Sequence, residues 1–191
     1  MKRLLLIVLP LLLIVGCKEY ELNDLVFDKS NQIYSKKVNG KPLSGNVIQV
    51  LDNKKVPVGI LQDGKIIGSW NTWYDNGQKK HEGTYKNGKY DGIRTYWYKN
   101  GQKQQEWTYD GGVIKGLSTN WYENGQKSNE DNYMKGSLHG LSTSWYDNGQ
   151  KKSEGNYYGE MENGTWKFWS RDGLVETQKT FEHGYEIDSR N

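Results

Sequence analysis

The chain has 191 residues, enough for one domain or one repeat array, and only 34% of them are apolar, so a thick aliphatic core is excluded. Its 8 Trp and 14 Tyr against 3 Phe point instead to a thin structure packed by rings. The formal charge is +3, and losing Lys2 and Arg3 with the leader described next leaves 24 basic residues against 23 acidic ones, about +1; this gives no electrostatic case for nucleic acid, and the single cysteine excludes a disulfide framework within one chain.

Residues 1–16 read as a lipoprotein signal peptide. Lys2 and Arg3 form a short positive start, and Leu4 to Val15 form an apolar stretch too short to span a bilayer. The segment closes on Ile14-Val15-Gly16-Cys17, which resembles the bacterial lipobox and implies cleavage before Cys17 and acylation of that residue. Several acyl chains on one residue give stable anchoring, at ~0.8 kcal/mol per buried CH₂. Residues 17–32, beginning with the charged Lys18-Glu19-Tyr20-Glu21, are expected to be the lipidated cysteine and a solvated tether. The expected location is the bacterial cell envelope, on either leaflet.

The body is a repeat. Glycines fall at 45, 68, 92, 116, 140 and 164, a spacing of 23 and then 24 residues. Residues 33–67 form degenerate N-terminal cap repeats, including the half unit Val38-Asn39-Gly40-Lys41. Residues 68–163 hold four regular units, and 164–191 a diverged C-terminal unit and tail. Atypical ends are expected of a capped array.

Each unit carries two aromatic runs and two turn signals. The first series includes Asp75-Asn76-Gly77 and Asp147-Asn148-Gly149; the second includes Lys86-Asn87-Gly88, Asp110-Gly111-Gly112, Met134-Lys135-Gly136 and Glu182-His183-Gly184. A two-residue type I′ turn needs φ > 0 at both centres, which Lys135 and His183 tolerate poorly. Three-residue loops closed by a glycine bulge are therefore expected in both series. With such loops, Trp73, Trp97, Trp121, Trp145 and Trp169 share a face with Ile93, Leu117 and Leu141, joined by Tyr85, Tyr109, Tyr133, Tyr157 and Phe181. This face is expected to be the structural core. The opposite face carries Tyr74, Tyr98, Tyr122 and Tyr146 with Arg94, Ser118, Asn120 and Ser142.

The units resemble the bacterial variant of the MORN repeat, of the type found in the YwqK-like family, whose members are often labelled antitoxins. The pattern of Gly, an aromatic pair, Asn-Gly, Glu-x-x-Tyr and Gly is carried by Gly68, Trp73-Tyr74, Asn76-Gly77, Glu82-Gly83-Thr84-Tyr85 and Gly88, and recurs in the next three units, the last of which has Glu160 at the final glycine's position. The resemblance covers about residues 45–188. It implies an all-β fold, an elongated antiparallel meander in a single twisted sheet of twelve strands, roughly 55 Å long at ~4.8 Å per strand. It also implies protein-binding or membrane-proximal scaffolding without catalytic residues. A cytoplasmic antitoxin would carry no lipobox, so the label would here mean an exported immunity protein.

The candidate binding surface is the tyrosine ladder Tyr74, Tyr98, Tyr122 and Tyr146 together with Arg94, because tyrosine offers rigid area and a polar tip; the alternative is cross-strand packing alone. Gln78-Lys79 and Glu82 recur in every regular unit, which marks charge ladders rather than paired catalytic carboxylates. His81, His139 and His183 have no metal-ligand spacing, and no phosphate loop or nucleophile elbow is present, so no metal, no cofactor and no enzymatic activity are expected. The expected partners are an unknown protein, a toxin in the immunity version, and the membrane through the lipid anchor. The unpaired ends of an open meander would also suit an edge-strand homodimer. The second reading is cell-wall glycan binding through the tyrosine ladder.

Overall fold

The structure is a computed structural model that describes residues 18–30, 32–37 and 40–187. The signal peptide, Cys17 and the Val38-Asn39 pair of the half unit lie outside the described residues. In chain order the cap contributes β1 (Glu19–Glu21), a 3₁₀ turn (Leu22–Asp24), β2 (Leu25–Asp28) and β3 (Ile33–Lys36). The degenerate units supply β4 (Gly45–Leu51) and β5 (Lys54–Gln62). The regular units supply β6 (Lys65–Trp73), β7 (Lys79–Lys86), β8 (Lys89–Trp97), β9 (Lys103–Asp110), β10 (Val113–Ile114), β11 (Gly116–Trp121), β12 (Lys127–Met134), β13 (Ser137–Trp145) and β14 (Lys151–Tyr158). The last unit supplies β15 (Met161–Trp169), β16 (Val175–Glu182) and β17 (Tyr185–Ile187).

These strands form one open sheet, an antiparallel meander from β4 to β17, with β1 laid parallel on β4. The sheet has 15 strands rather than the expected twelve, because the cap adds β1, the last unit adds β17, and β10 breaks from β11 at Lys115. A separate two-stranded ribbon pairs β2 with β3.

The expected tether is corrected here. Tyr20 pairs with Val47 and is buried in a cluster with Leu43, Val58, Leu61, Ile66 and Trp70. Leu22, Leu25 and Tyr34 pack against it. An open sheet leaves its first strands bare, and this segment covers them; burial of such side chains stabilises by ~1.5–3 kcal/mol each.

The two turn series differ, which corrects the expectation of one turn type. In the first series the Tyr74 amide donates to the Gln78 carbonyl at 2.8 Å and the Gly77 amide to the Tyr74 carbonyl at 2.9 Å, with φ +80° at Gly77. This is the expected three-residue loop. In the second series Lys86 pairs directly with Lys89, and both Asn87 (φ +52°) and Gly88 (φ +79°) are left-handed. Lys135 (+53°) and His183 (+50°) occupy the same position. These are two-residue type I′ turns, whose twist matches that of the flanking strands. The sheet's need for that twist overrides the local cost of a left-handed lysine or histidine.

The assignment of faces is also corrected. Thr72 pairs with His81 and Trp73 with Lys79, so Lys80 is an extra residue on the returning strand. Because side chains alternate, one inserted residue moves everything beyond it to the other face. Tyr85 therefore lies opposite Gly68, on the face away from Trp73. The same shift recurs at Trp97, Trp121, Trp145 and Trp169. The first face carries the five tryptophans with Ile93, Leu117 and Leu141; the second carries Tyr85, Tyr109, Tyr133 and Tyr157 with Arg94, Ser118 and Ser142.

Candidate functional site

The first face keeps the repeat. Lys79 sits over the Trp97 ring at 5.5 Å, Lys103 over Trp121 at 5.6 Å, Lys127 over Trp145 at 5.7 Å and Lys151 over Trp169 at 5.6 Å. Each lysine also pairs with the glutamate three residues on: Lys79–Glu82 at 2.8 Å, Lys103–Glu106 at 2.6 Å, and Lys127–Glu130 and Lys151–Glu154 in the same way. The five tryptophans are therefore not a sealed core. They are half-buried rings, four of them roofed by lysine stems because a single-layer sheet has no second layer to cover them, while Trp73 packs against the buried cluster of the cap. Ile93, Leu117 and Leu141 beside them are 56%, 49% and 47% exposed. The buried tryptophans are Trp70 and Trp166, both on the second face.

The tyrosine ladder lies on the second face, as expected, but its polar tips are committed. Tyr74, Tyr98, Tyr122 and Tyr146 donate to the carbonyls of Trp97, Trp121, Trp145 and Trp169 at 2.8, 2.7, 2.7 and 3.0 Å. Asn76, Asn100, Asn124 and Asn148 likewise donate to the carbonyls of Lys99, Glu123, Asp147 and Arg171. Both series bind each unit's turn to the next. The tyrosines wall the second face; their hydroxyls are structural.

Two central columns of that face break the repeat. Reading one unit to the next, the first runs Trp70, Arg94, Ser118, Ser142, Trp166, paired across the strands with Gly83, Trp107, Asp131, Gly155 and Lys179. The second runs Thr72, Tyr96, Asn120, Ser144, Phe168, paired with His81, Gln105, Asn129, Ser153 and Thr177. Large rings stand at both ends, and small hydroxyl and amide side chains floor the middle.

At one end, Arg94 sits in a cage of rings. Its guanidinium carbon is 4.4 Å from the Tyr96 centroid, 4.9 Å from Tyr90, 5.8 Å from Trp107 and 5.9 Å from Tyr109, and Nη1 donates to the Tyr109 hydroxyl at 2.9 Å. Nε is buried without an acceptor. His81 is 5% exposed beside this cage, and burial, seconded by the Arg94 charge, pushes its pKa down from 6.5 to about 4. Burial also raises the Tyr85 and Tyr90 hydroxyls, so these rings stay neutral. Arg94, Tyr96, Tyr98, Gln105 and Asn120 line a hollow of about 410 Å³. Gln105 Nε2 and Trp107 Nε1 both donate to the Asn120 side-chain carbonyl, at 3.1 and 3.3 Å.

The neighbouring hollow, about 380 Å³, is lined by Asn129, Asp131, Ser142, Ser144, Ser153 and Trp166, and shares Ser128 with the first. Ser142 donates to the Asp131 carboxylate at 2.6 Å, Ser118 to its main-chain carbonyl at 3.3 Å, and Ser144 and Ser153 share a hydrogen bond at 2.6 Å. Burial raises the Asp131 carboxyl above its ordinary value, partly offset by the Ser142 hydroxyl. Gly155 leaves room for the Trp166 ring, which any side chain there would meet.

Of the expected surface, Arg94, Tyr98 and Tyr122 line these hollows. Tyr74 and Tyr146 are overlaid by Lys80 and by Lys152 with Arg171. Trp107, Asp131, Gln105, Asn129 and Trp166 were not among the expected site residues. Their signal was in the sequence as the columns that vary between otherwise regular units. His81, His139 and His183 lie on β7, on β13 and in the last turn, and are not brought together.

The family model for the MORN repeat variant matches residues 63–87, 90–110 and 138–157. No curated protein matches the chain.

Proposed function

We propose that this chain is a non-enzymatic, lipid-anchored envelope protein whose repeat body binds a protein partner through its irregular face. The carrying observation is the contrast between faces: the charged tryptophan face repeats from unit to unit, while the central columns from Arg94 to Trp166 do not. Scaffold positions need only recur, whereas a recognition surface must differ along its length to match one partner. Repeats of the matched type are in general protein-binding or membrane-binding modules, which supports the same reading. The lipobox at Cys17 supports anchoring, and an exported immunity protein that neutralises a toxin is its specific form.

The experiment is a crosslinking pull-down from the native cell with the full-length lipoprotein tagged at Asn191. One stoichiometric protein is expected, and that partner's chemistry separates immunity from scaffolding. Recovery of peptidoglycan fragments alone would overturn it in favour of glycan binding, a reading that the amide and hydroxyl floor between tyrosine walls also suits.

A further inference from the structure

Charges in the trough are treated differently from those around it. The recurring lysines and glutamates of the first face neutralise one another within the chain, Lys115–Asp110 and Arg171–Asp147 do the same at the turns, and Lys179–Glu186 does so at the far end of the second face. On the second face, Arg94 and Asp131 are each about half-buried, and neither makes an ion pair among the described residues. Arg94 has aromatic faces and one tyrosine hydroxyl around it, and Asp131 has serine hydroxyls. Half-burying a charge without a counter-ion is costly, and a ligand of opposite charge recovers part of that cost.

Both charges belong to one column. Arg94 pairs with Trp107 and Ser118 with Asp131, while β9 and β11 are held adjacent by Glu106–Thr119 and Gln105–Asn120. Three strand spacings separate them, about 14 Å at ~4.8 Å each. An extended polypeptide advances ~3.4 Å per residue, so side chains four residues apart span the same distance.

We infer that the trough between Arg94 and Asp131 receives an extended peptide segment of the partner, crossing the strands, with a carboxylate on Arg94 and a cationic side chain four residues away on Asp131. The inference rests on the protein-binding reading and names the chemistry of that partner. Gln105, Asn120 and Asn129 supply side-chain amides to the intervening peptide groups, and Trp107 and Tyr98 flank the carboxylate end. Arginine, tryptophan and tyrosine are also the residue types enriched among those that dominate binding energy at protein interfaces.

The probe is the end-capped peptide Asp-Ser-Gly-Ser-Lys, titrated into the full chain in detergent micelles with the Trp107 indole N–H followed by NMR. Controls are Asn-Ser-Gly-Ser-Gln, peptides with the two charges one or two residues apart, and an oligosaccharide of uronic acids. The charged peptide with four-residue spacing is expected to shift Trp107 and to bind about tenfold tighter than the neutral one. Arg94→Gln is expected to abolish the preference for Asp over Asn, and Asp131→Asn the preference for Lys over Gln. Lys103→Gln, on the other face, leaves both unchanged. Melting temperatures show that each variant folds, and Asp131→Asn retains the size and acceptor that Ser142 uses. Equal binding of charged and neutral peptides, no binding of any peptide, or tighter binding of the uronic acid chain would each overturn the inference. A captured partner whose binding ignores both substitutions would end it while leaving the binding-module reading intact.

Discussion

The Tyr98 hydroxyl donates to the Trp121 carbonyl oxygen at 2.7 Å, reaching from the first turn of one unit to the end of the outgoing strand of the next. Tyr122 and Trp145 repeat the relationship one unit on. A ladder of such bonds, beside that of Asn100 and its copies, joins each unit's turn to the next. Tyr122→Phe deletes one rung and keeps the ring, and is expected to cost about 1 kcal/mol. Thermal unfolding should show a melting temperature lower by ~2–4 °C. An unchanged value would mean that the ring alone holds the turns in register.

Lys135 should be a point of backbone strain. It adopts φ +53° at the first centre of a type I′ turn, where a side chain costs about 1 kcal/mol relative to glycine. Lys135→Gly is expected to raise stability by a few tenths to ~1 kcal/mol, the gain reduced by glycine's greater freedom in the unfolded chain. Denaturant titration measures it; destabilisation would show that the lysine side chain contributes something its exposed position does not suggest.

Tyr20 tests the cap. Its side chain is 9% exposed against Val47, Leu61 and Trp70. Tyr20→Ala is expected to destabilise by ~3 kcal/mol and to open the first strands to protease before the regular units. Loss of under ~0.5 kcal/mol would restore the view of residues 17–32 as a tether.

His81 gives the fold a pH dependence. Its folded pKa, about 4, lies below the ordinary 6.5, so the unfolded chain binds the proton more readily. The stabilisation is complete above pH 6.5 and is lost as pH falls toward 4. Melting temperature should therefore be flat near neutrality and decline between about pH 6 and 4.5. His81→Gln, which cannot titrate, should remove that part of the decline. An identical slope in the variant would place the dependence on carboxylates.

Much of the fold was legible because it is set by local chemistry repeated in register. Asn76-Gly77 and its copies mark turns, since glycine alone enters the left-handed region freely, and the flanking aromatic runs alternate as strands do. The periodic lysines and glutamates form the charge ladders that their recurrence implied, and Arg94 shares a hollow with Tyr98 of the tyrosine ladder. The candidate site was only partly legible. Repetition drew attention to Tyr74, Tyr98, Tyr122 and Tyr146, whose hydroxyls the turns consume, and away from Trp107 and Asp131, which are conspicuous only as departures from the pattern.

The sequence by itself determined the period, the number of regular units, the first turn series and the composition of the Trp73 and Tyr74 rows on the outgoing strands, because each follows from backbone preferences within a few residues. Tertiary structure alone decided which return-strand rings join which row. That choice hangs on one extra residue, Lys80 and its equivalents, whose insertion inverts every later side chain without a distinctive local signal. It also decided that Tyr20 covers the first strands and that Arg94 and Asp131, without an ion pair among the described residues, lie along one row of the sheet, since both depend on strands brought together only by pairing across the sheet.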